Sequence, residues 1–279
     1  MNALSREEVE KLKSPLAVRV DFHEEINSTQ ERARELAHEG VPHGTLVISR
    51  MQKGGRGRLG RRWGSPPGGI WMSLVLRPDI PTHLAPRITQ AAAVGVAKRL
   101  WSFGAEARIK WPNDLLVVKT GETEGRKICG ILAESGAKDV PVAKKPAGLD
   151  VGDRRPDFIV LGVGVNANFD PEDLDLPDRE VATLRSELGR DVDLTELLGA
   201  LLSSLDAELM RIEDFDAILD DWRALNCTLG RLVRVQRFGE VLEGRAADLT
   251  PEGALLLEAP EGVVELFEGE VEHLRQGGA

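Results

Sequence analysis

The change of apolar period along the chain constrains its fold more than any other feature. Up to about residue 103, short apolar runs alternate with two helical patterns. From 107 to 165 the runs are short, close together and separated by turns, and from about 226 onward every segment is β-like. Strands are expected over residues 18–22, 45–49, 70–76, 107–111, 115–118, 127–134 and 158–165. A helix follows Ser28, where Ser28 and Glu31 fit a capping box and Gly40 acts as the stop. Further helices are expected over 84–103, closed by Gly104, over 194–212, where Asp193 and Glu196 fit a second box, and over 214–225. Five segments at 232–236, 241–248, 254–258, 263–267 and 271–274 read as a small appended barrel. The stretch 136–157, full of Lys, Pro, Gly and Asp, has no face to bury and reads as a mobile surface loop. The expected class is α+β, with a main domain over 16–225 and a β domain over 226–276.

One stretch within this frame has an unusual charge. Arg50 to Arg62 places six Lys and Arg in thirteen residues, and no acid occurs between Gly40 and Pro78, a gap of 39 positions. Yet the chain holds 46 acids against 36 basic residues, a net charge of −10. The glycines Gly54, Gly55, Gly57 and Gly60 let the backbone approach a ligand and present its N–H groups. Alternating Arg and Gly therefore reads as a flexible loop that can close on an anion. A solvated basic loop or a nucleic-acid tail fits the same pattern.

Composition narrows these options. With 279 residues, 42% hydrophobic and 29% charged, the chain can bury a sizeable core. No apolar run reaches the length of a membrane span, and the N-terminus lacks the apolar core of a signal peptide. Cys129 and Cys227 are far apart, which suggests neither a disulfide framework nor a zinc site. Cytoplasmic residence without membrane association is the expectation. A pI near 5.2 argues against general nucleic-acid binding.

The motifs then converge. In order they are Ser28-Thr29, Gln52 with Gly55-Arg56-Gly57-Arg58-Leu59-Gly60-Arg61, and Lys110-Trp111-Pro112-Asn113-Asp114. After them come Arg126-Lys127-Ile128-Cys129-Gly130-Ile131-Leu132-Ala133-Glu134 and Gly162-Val163-Gly164-Val165-Asn166, with Gly253-Ala254-Leu255-Leu256-Leu257 in the β domain. Together, from about Val18 to Arg275, they resemble the bacterial biotin–protein ligases. The resemblance implies a mixed, largely antiparallel sheet with flanking helices and a small SH3-like C-terminal barrel. It also implies an enzyme that joins biotin to ATP as biotinyl-5'-AMP, with Mg2+. Such an enzyme then passes the biotinyl group to one lysine of a biotin carboxyl carrier domain.

Carried over residue by residue, the resemblance makes Arg58, Lys110, Asp114 and Lys127 the catalytic set. Arg56, Arg58 and Lys127 would hold biotin's carboxylate and the α-phosphate together, with Lys110 on the phosphate side. Ser28, Thr29 and Gln52 would bond the ureido ring, while Gly55, Gly57, Gly130 and Gly162 let the chain lie close to it. Arg58, Arg61, Trp63, Lys110, Asn113 and Asn166 would face ATP, and Asp114 would orient Mg2+ or the incoming lysine.

Plainer readings stand beside these. Ser28 suffices as a helix cap, Lys110 as a solvated strand residue, Lys127 as a sheet-edge gatekeeper and Asp114 as a turn former. Asn166 closes a strand or contacts the nucleotide, and Trp63, Trp71 and Trp111 suit packing. Val181 stands where some bacterial relatives carry an aromatic residue over adenine, so closure over the adenylate would be weaker or built from other residues. The family's repressor branch carries an N-terminal helix-turn-helix for which the stretch before Val18 leaves no room, so no DNA binding is expected. An exposed sheet edge is compatible with a homodimer. The competing readings are a lipoate–protein ligase and a nucleic-acid-binding module built on residues 50–62.

Overall fold

The computed structural model describes residues 3–118, 125–136, 155–174 and 180–274. Seven strands form one sheet: β1 (Arg19–Ile26), β2 (Thr45–Gln52), β3 (Ile70–Leu76), β4 (Ala107–Lys110), β5 (Asp114–Val117), β6 (Arg126–Gly136) and β7 (Phe158–Val165). Their spatial order is β1-β2-β3-β7-β6-β5-β4, parallel only between β1 and β2. That parallel pair is joined by a crossover helix, α2 (Thr29–His38), as a parallel connection demands. The expected class is therefore observed, a mixed and mainly antiparallel sheet.

Period-two alternation divides the sheet's side chains between two cores. Val47, Val75, Phe158 and Val160 face α2, where Ala33, Leu36 and Ala37 meet them. Their neighbours Leu46, Ile48, Leu74, Leu76, Ile159 and Leu161 belong to the larger core on the other side. That side is covered by α3 (Pro86–Ser102), α5 (Leu194–Met210) and α6 (Phe215–Leu225). The alanines Ala91, Ala92, Ala93 and Ala97 of α3 are fully buried, and their small side chains let α5 approach until Ser204 Oγ donates to the Gly95 carbonyl at 2.9 Å.

The helix caps form in part as expected. Ser28 Oγ accepts from the Glu31 amide at 3.4 Å, but the Glu31 carboxylate turns away to Asn27 Nδ2 at 2.7 Å and to Arg56. Only half of that capping box exists. Asp193 Oδ1 accepts from the amides of Thr195 and Glu196 at 2.8 and 2.9 Å. Two five-residue helices have no counterpart in the sequence reading, α1 (Arg6–Glu10) and α4 (Leu184–Leu188). Both are too short to display a helical period. Leu4 and Val9 are nonetheless buried in the large core, so packing begins ahead of residue 16. Most of the loop expected over 136–157 lies outside the described residues.

The C-terminal β domain is a second sheet of five antiparallel strands, β8 (Leu232–Arg237), β9 (Glu240–Leu249), β10 (Leu255–Ala259), β11 (Gly262–Leu266) and β12 (Glu270–His273), in the order β11-β10-β9-β8-β12. It is sewn to the free side of β4: Asn226 bridges Ile109, the Cys227 amide donates to the Ile109 carbonyl at 2.9 Å, and Trp111 N–H donates to Thr228 Oγ1 at 3.0 Å. This covers one edge of the large sheet and leaves β1 as the other. Among the described residues no helix is long and apolar enough to cross a membrane.

Candidate active site

A cavity of about 180 Å³ opens where β2, β3, β5, β6 and β7 meet the basic stretch. Its base is polar and buried. Thr29, at the start of α2, lies 3% exposed beside Ser73 of β3 at 1%. Gln52 ends β2, and its amide orientation is fixed because the Thr29 N–H donates to its Oε1 at 2.8 Å. Gln52 Nε2 then donates to Ser65 Oγ at 2.8 Å.

The basic stretch has more structure than a flexible loop. Gln52 pairs with Ser65 and Arg56 with Arg62, so the chain doubles back on itself. Gly57 N–H donates to the Arg61 carbonyl and Trp63 N–H to the Gly55 carbonyl, both at 2.8 Å. This hairpin folds over the cavity and delivers Arg58 inward. Arg58 Nη1 donates to Asn113 Oδ1 at 3.2 Å and to the Gly269 carbonyl at 3.3 Å. Burial pulls the Arg58 guanidinium below its ordinary pKa, while the charges of Asp114, Glu268 and Glu270 push back. Arg61 pairs with Glu270 and Arg56 with Glu31.

Two further cations reach the cavity from strand ends. Lys110 closes β4 opposite Asp114 in the strand register. Lys127 comes from β6, and its Nζ lies 2.7 Å from Asp114 Oδ1 and 4.8 Å from the centre of the Trp63 ring. Trp63 itself rests on two glycines. A Cβ at Gly130 would stand 2.8 Å from its ring, and one at Gly164 would stand 2.7 Å from Nε1. Any other residue at either position would displace the indole. The Trp63 Nε1 is buried without a hydrogen-bond partner. Trp71 and Trp111 are each 1% exposed and packed in the interior, and Trp111 also lines the cavity.

The structure thus gathers Thr29, Gln52, Arg56, Gly57, Arg58, Arg61, Trp63, Lys110, Asn113, Asp114, Lys127, Gly130 and Gly162 around one cavity. Ser28, Gly55 and Asn166 do not line it. Ser28 caps α2 from behind, and Gly55 packs against the Trp63 carbonyl. Asn166 is 2% exposed, and its Nδ2 donates to the carbonyls of Lys127 and Ala182, both at 3.1 Å. It ties the segment carrying Val181 to β6, where Val181 pairs with Lys127. With Glu270 and Glu31 paired to Arg61 and Arg56, the carboxylate beside Lys127 is that of Asp114. A metal beside it would compete with the Lys127 ammonium, and no cluster of three metal-ligating side chains exists among the described residues.

The sequence reading did not single out Gln30, Ser73, Gly269 and Glu270, all of which line the cavity. A lone hydroxyl at Ser73 inside the apolar strand β3 was a usable signal. Gly269 and Glu270 lie more than two hundred residues from Arg58 in sequence and gave none.

Residues 22–145 match the sequence pattern of the family described as "Biotin/lipoate A/B protein ligase family", and residues 228–274 match that of the "Biotin protein ligase C terminal domain". The bifunctional ligase/repressor BirA of Bacillus subtilis is 32% identical over 256 residues, covering 90% of this chain and 73% of that protein. The biotin–[acetyl-CoA-carboxylase] ligase of Mycobacterium tuberculosis is 32% identical over 241 residues, covering 83% and 80% of the two chains. Among solved structures, the biotin protein ligase from Aquifex aeolicus in complex with biotin and ATP superposes with a TM-score of 0.71 at 24% identity, covering 93% of this chain and 100% of that one. At that identity the likeness speaks to the fold.

Proposed function

The chain belongs to the biotin protein ligase family, and on that premise we propose that its cavity condenses biotin with ATP and passes the biotinyl group to a lysine of a biotin carboxyl carrier domain. The observation that carries this reading is the convergence of Arg58, Lys110 and Lys127 at the mouth of a cavity whose base is the polar pair Thr29 and Gln52. One end suits a buried polar ring, and the other suits two anions that must be brought together.

In the first step a biotin carboxylate oxygen attacks the α-phosphorus of ATP, forming the mixed anhydride and releasing pyrophosphate. Two negative groups repel each other in water, and cations set in a partly desolvated wall offset that repulsion without reorganising. Lys127 is positioned for the carboxylate by Asp114, which holds its ammonium at 2.7 Å. Arg58 is steered from two sides, by Asn113 and by Gly269, toward the group formed between carboxylate and phosphate. Mg2+ enters this reading with ATP, as part of the substrate. In the second step the acceptor's neutral ε-amine attacks the anhydride carbonyl, AMP leaves, and the amine's proton passes to water. The hairpin over the cavity keeps water from the anhydride until then.

Pyrophosphate exchange tests the first step directly. Radiolabelled pyrophosphate is expected to enter ATP when biotin is present and to stay out with lipoate in its place. Exchange with lipoate alone would replace this reading with lipoate–protein ligation.

A further inference from the structure

One side chain on the cavity wall has no part in the chemistry above. Gln30, on α2, is 4% exposed, and both ends of its amide are committed. Its Nε2 faces the Glu134 carboxylate at 3.0 Å and the Val160 carbonyl at 3.2 Å. Both partners accept, Val160 through its carbonyl and Glu134 through the carboxylate oxygen that also pairs with Arg34 at 2.7 Å. The NH2 must therefore point there, and Oε1 must point the other way, toward Ser73 Oγ at 3.0 Å. Gly162 leaves the room for this, since a Cβ there would stand 2.5 Å from Gln30 Oε1.

The consequence passes along the floor. Ser73 has one hydroxyl proton, and Gln30 Oε1 takes it. Thr29 Oγ1 lies 3.0 Å from Ser73 Oγ and 3.1 Å from Gln52 Oε1, so its one proton goes to either of these and in both cases stays inside the protein. Both hydroxyls are left with lone pairs alone to offer a ligand. We propose that Gln30 is a specificity-determining residue: acting through Ser73, it makes the floor an acceptor-only surface that selects a head group carrying N–H donors. The inference rests on the ligase reading, in which biotin's ureido ring, with its two N–H groups, occupies that floor. A dithiolane head group brings no N–H, and it would leave the floor's lone pairs buried and unpaired.

The probes are biotin and its cyclic-carbonate analogue, in which both ureido N–H groups are replaced by ring oxygens, titrated calorimetrically into the full-length protein. Wild-type protein should favour biotin by roughly a hundredfold or more. In Gln30→Met the Ser73 proton loses its acceptor on Oε1 and is free to turn to Thr29 Oγ1 or toward the cavity, where it meets the ureido N–H groups. Biotin should then weaken roughly tenfold, while the analogue binds as well as before or better. The effect should disappear in a Ser73→Ala background, because it travels through that hydroxyl. Equal weakening of both ligands, or a Gln30→Met loss undiminished by Ser73→Ala, overturns the proposal. If Gln30→Met does not fold, Ser73→Ala alone decides: biotin must lose more affinity than the analogue, and equal losses refute the idea. Wild-type protein that binds neither ligand sinks the ligase reading instead, and this inference with it.

Discussion

At the scale of single residues, the ion pair of Lys127 with Asp114, Nζ to Oδ1 at 2.7 Å, fixes where one cation of the cavity stands. Lys127 and Asp114 were legible as members of motifs, but nothing in their spacing announces the ion pair. It arises because β5 and β6 are adjacent strands with a register shift between Leu115 and Leu116. His273 was not legible at all, since a histidine in a β strand has no default role. In the fold it is half-buried, with Nδ1 3.4 Å from the Arg231 guanidinium and Nε2 without a hydrogen-bond partner. Burial, followed by the charges of Lys110 and Arg231, lowers its pKa from 6.5 to about 4. The unfolded chain thus takes up the proton near pH 6.5, before the folded protein does. Stability from this group is complete above pH 6.5 and is lost as the pH falls through the folded value near 4. By pH 5 the loss should be about 1 kcal/mol, after allowance for partial exposure to solvent. Chemical denaturation of wild type and His273→Gln at pH 7 and pH 5 measures it. The variant's stability should fall less on acidification, and parallel falls would remove His273 from the account.

At the scale of elements, strands from Ala107 onward and the helices α3, α5 and α6 follow from apolar period and turn residues, within one or two residues at most ends. From sequence the basic stretch reads as a flexible loop suited to an anion. Its shape was not legible, because the hairpin depends on cross-strand bonds that no local propensity encodes. Its attachment was not legible either: Arg58 and Arg61 are tied to Gly269 and Glu270 at the start of β12. This gives a prediction for the element as a lid. Arg58→Ala removes the bonds to Asn113 and Gly269 together, along with a cation aimed into the cavity. If the hairpin retains the acyl-adenylate, the fraction of biotinyl-AMP surviving rapid gel filtration should drop roughly tenfold or more, as expected for losing a charge-assisted contact. Free adenylate should appear in the low-mass fractions. Retention equal to wild type would assign the lid to other residues.

At the scale of the whole molecule, the two sheets read from sequence as separate domains joined near Asn226, yet their packing does not separate them. Val233, Val235, Leu255, Leu257 and Leu266 of the small sheet belong to the same apolar cluster as Trp111, Ile109 and Trp222 of the large one. Arg223 of α6 donates to Asp248 of β9 at 2.8 Å, and the seam at 226–228 continues the hydrogen bonding of β4 into the second sheet. The cavity depends on that seam, since Gly269 and Glu270 form part of its wall. Thr228 is the sharpest place to test the coupling. It is fully buried, and its Oγ1 accepts the N–H of Trp111, the residue between Lys110 and the Asn113 that holds Arg58. Thr228→Val keeps the shape and strands that amide, which should cost about 1–3 kcal/mol. If the two sheets form one cooperative unit, calorimetry should show a single transition in wild type and in the variant, shifted downward as a whole. Two resolved transitions, with only the smaller one moved by Thr228→Val, would mean that the C-terminal sheet folds and unfolds independently and that the wall it lends to the cavity is not fixed by the core.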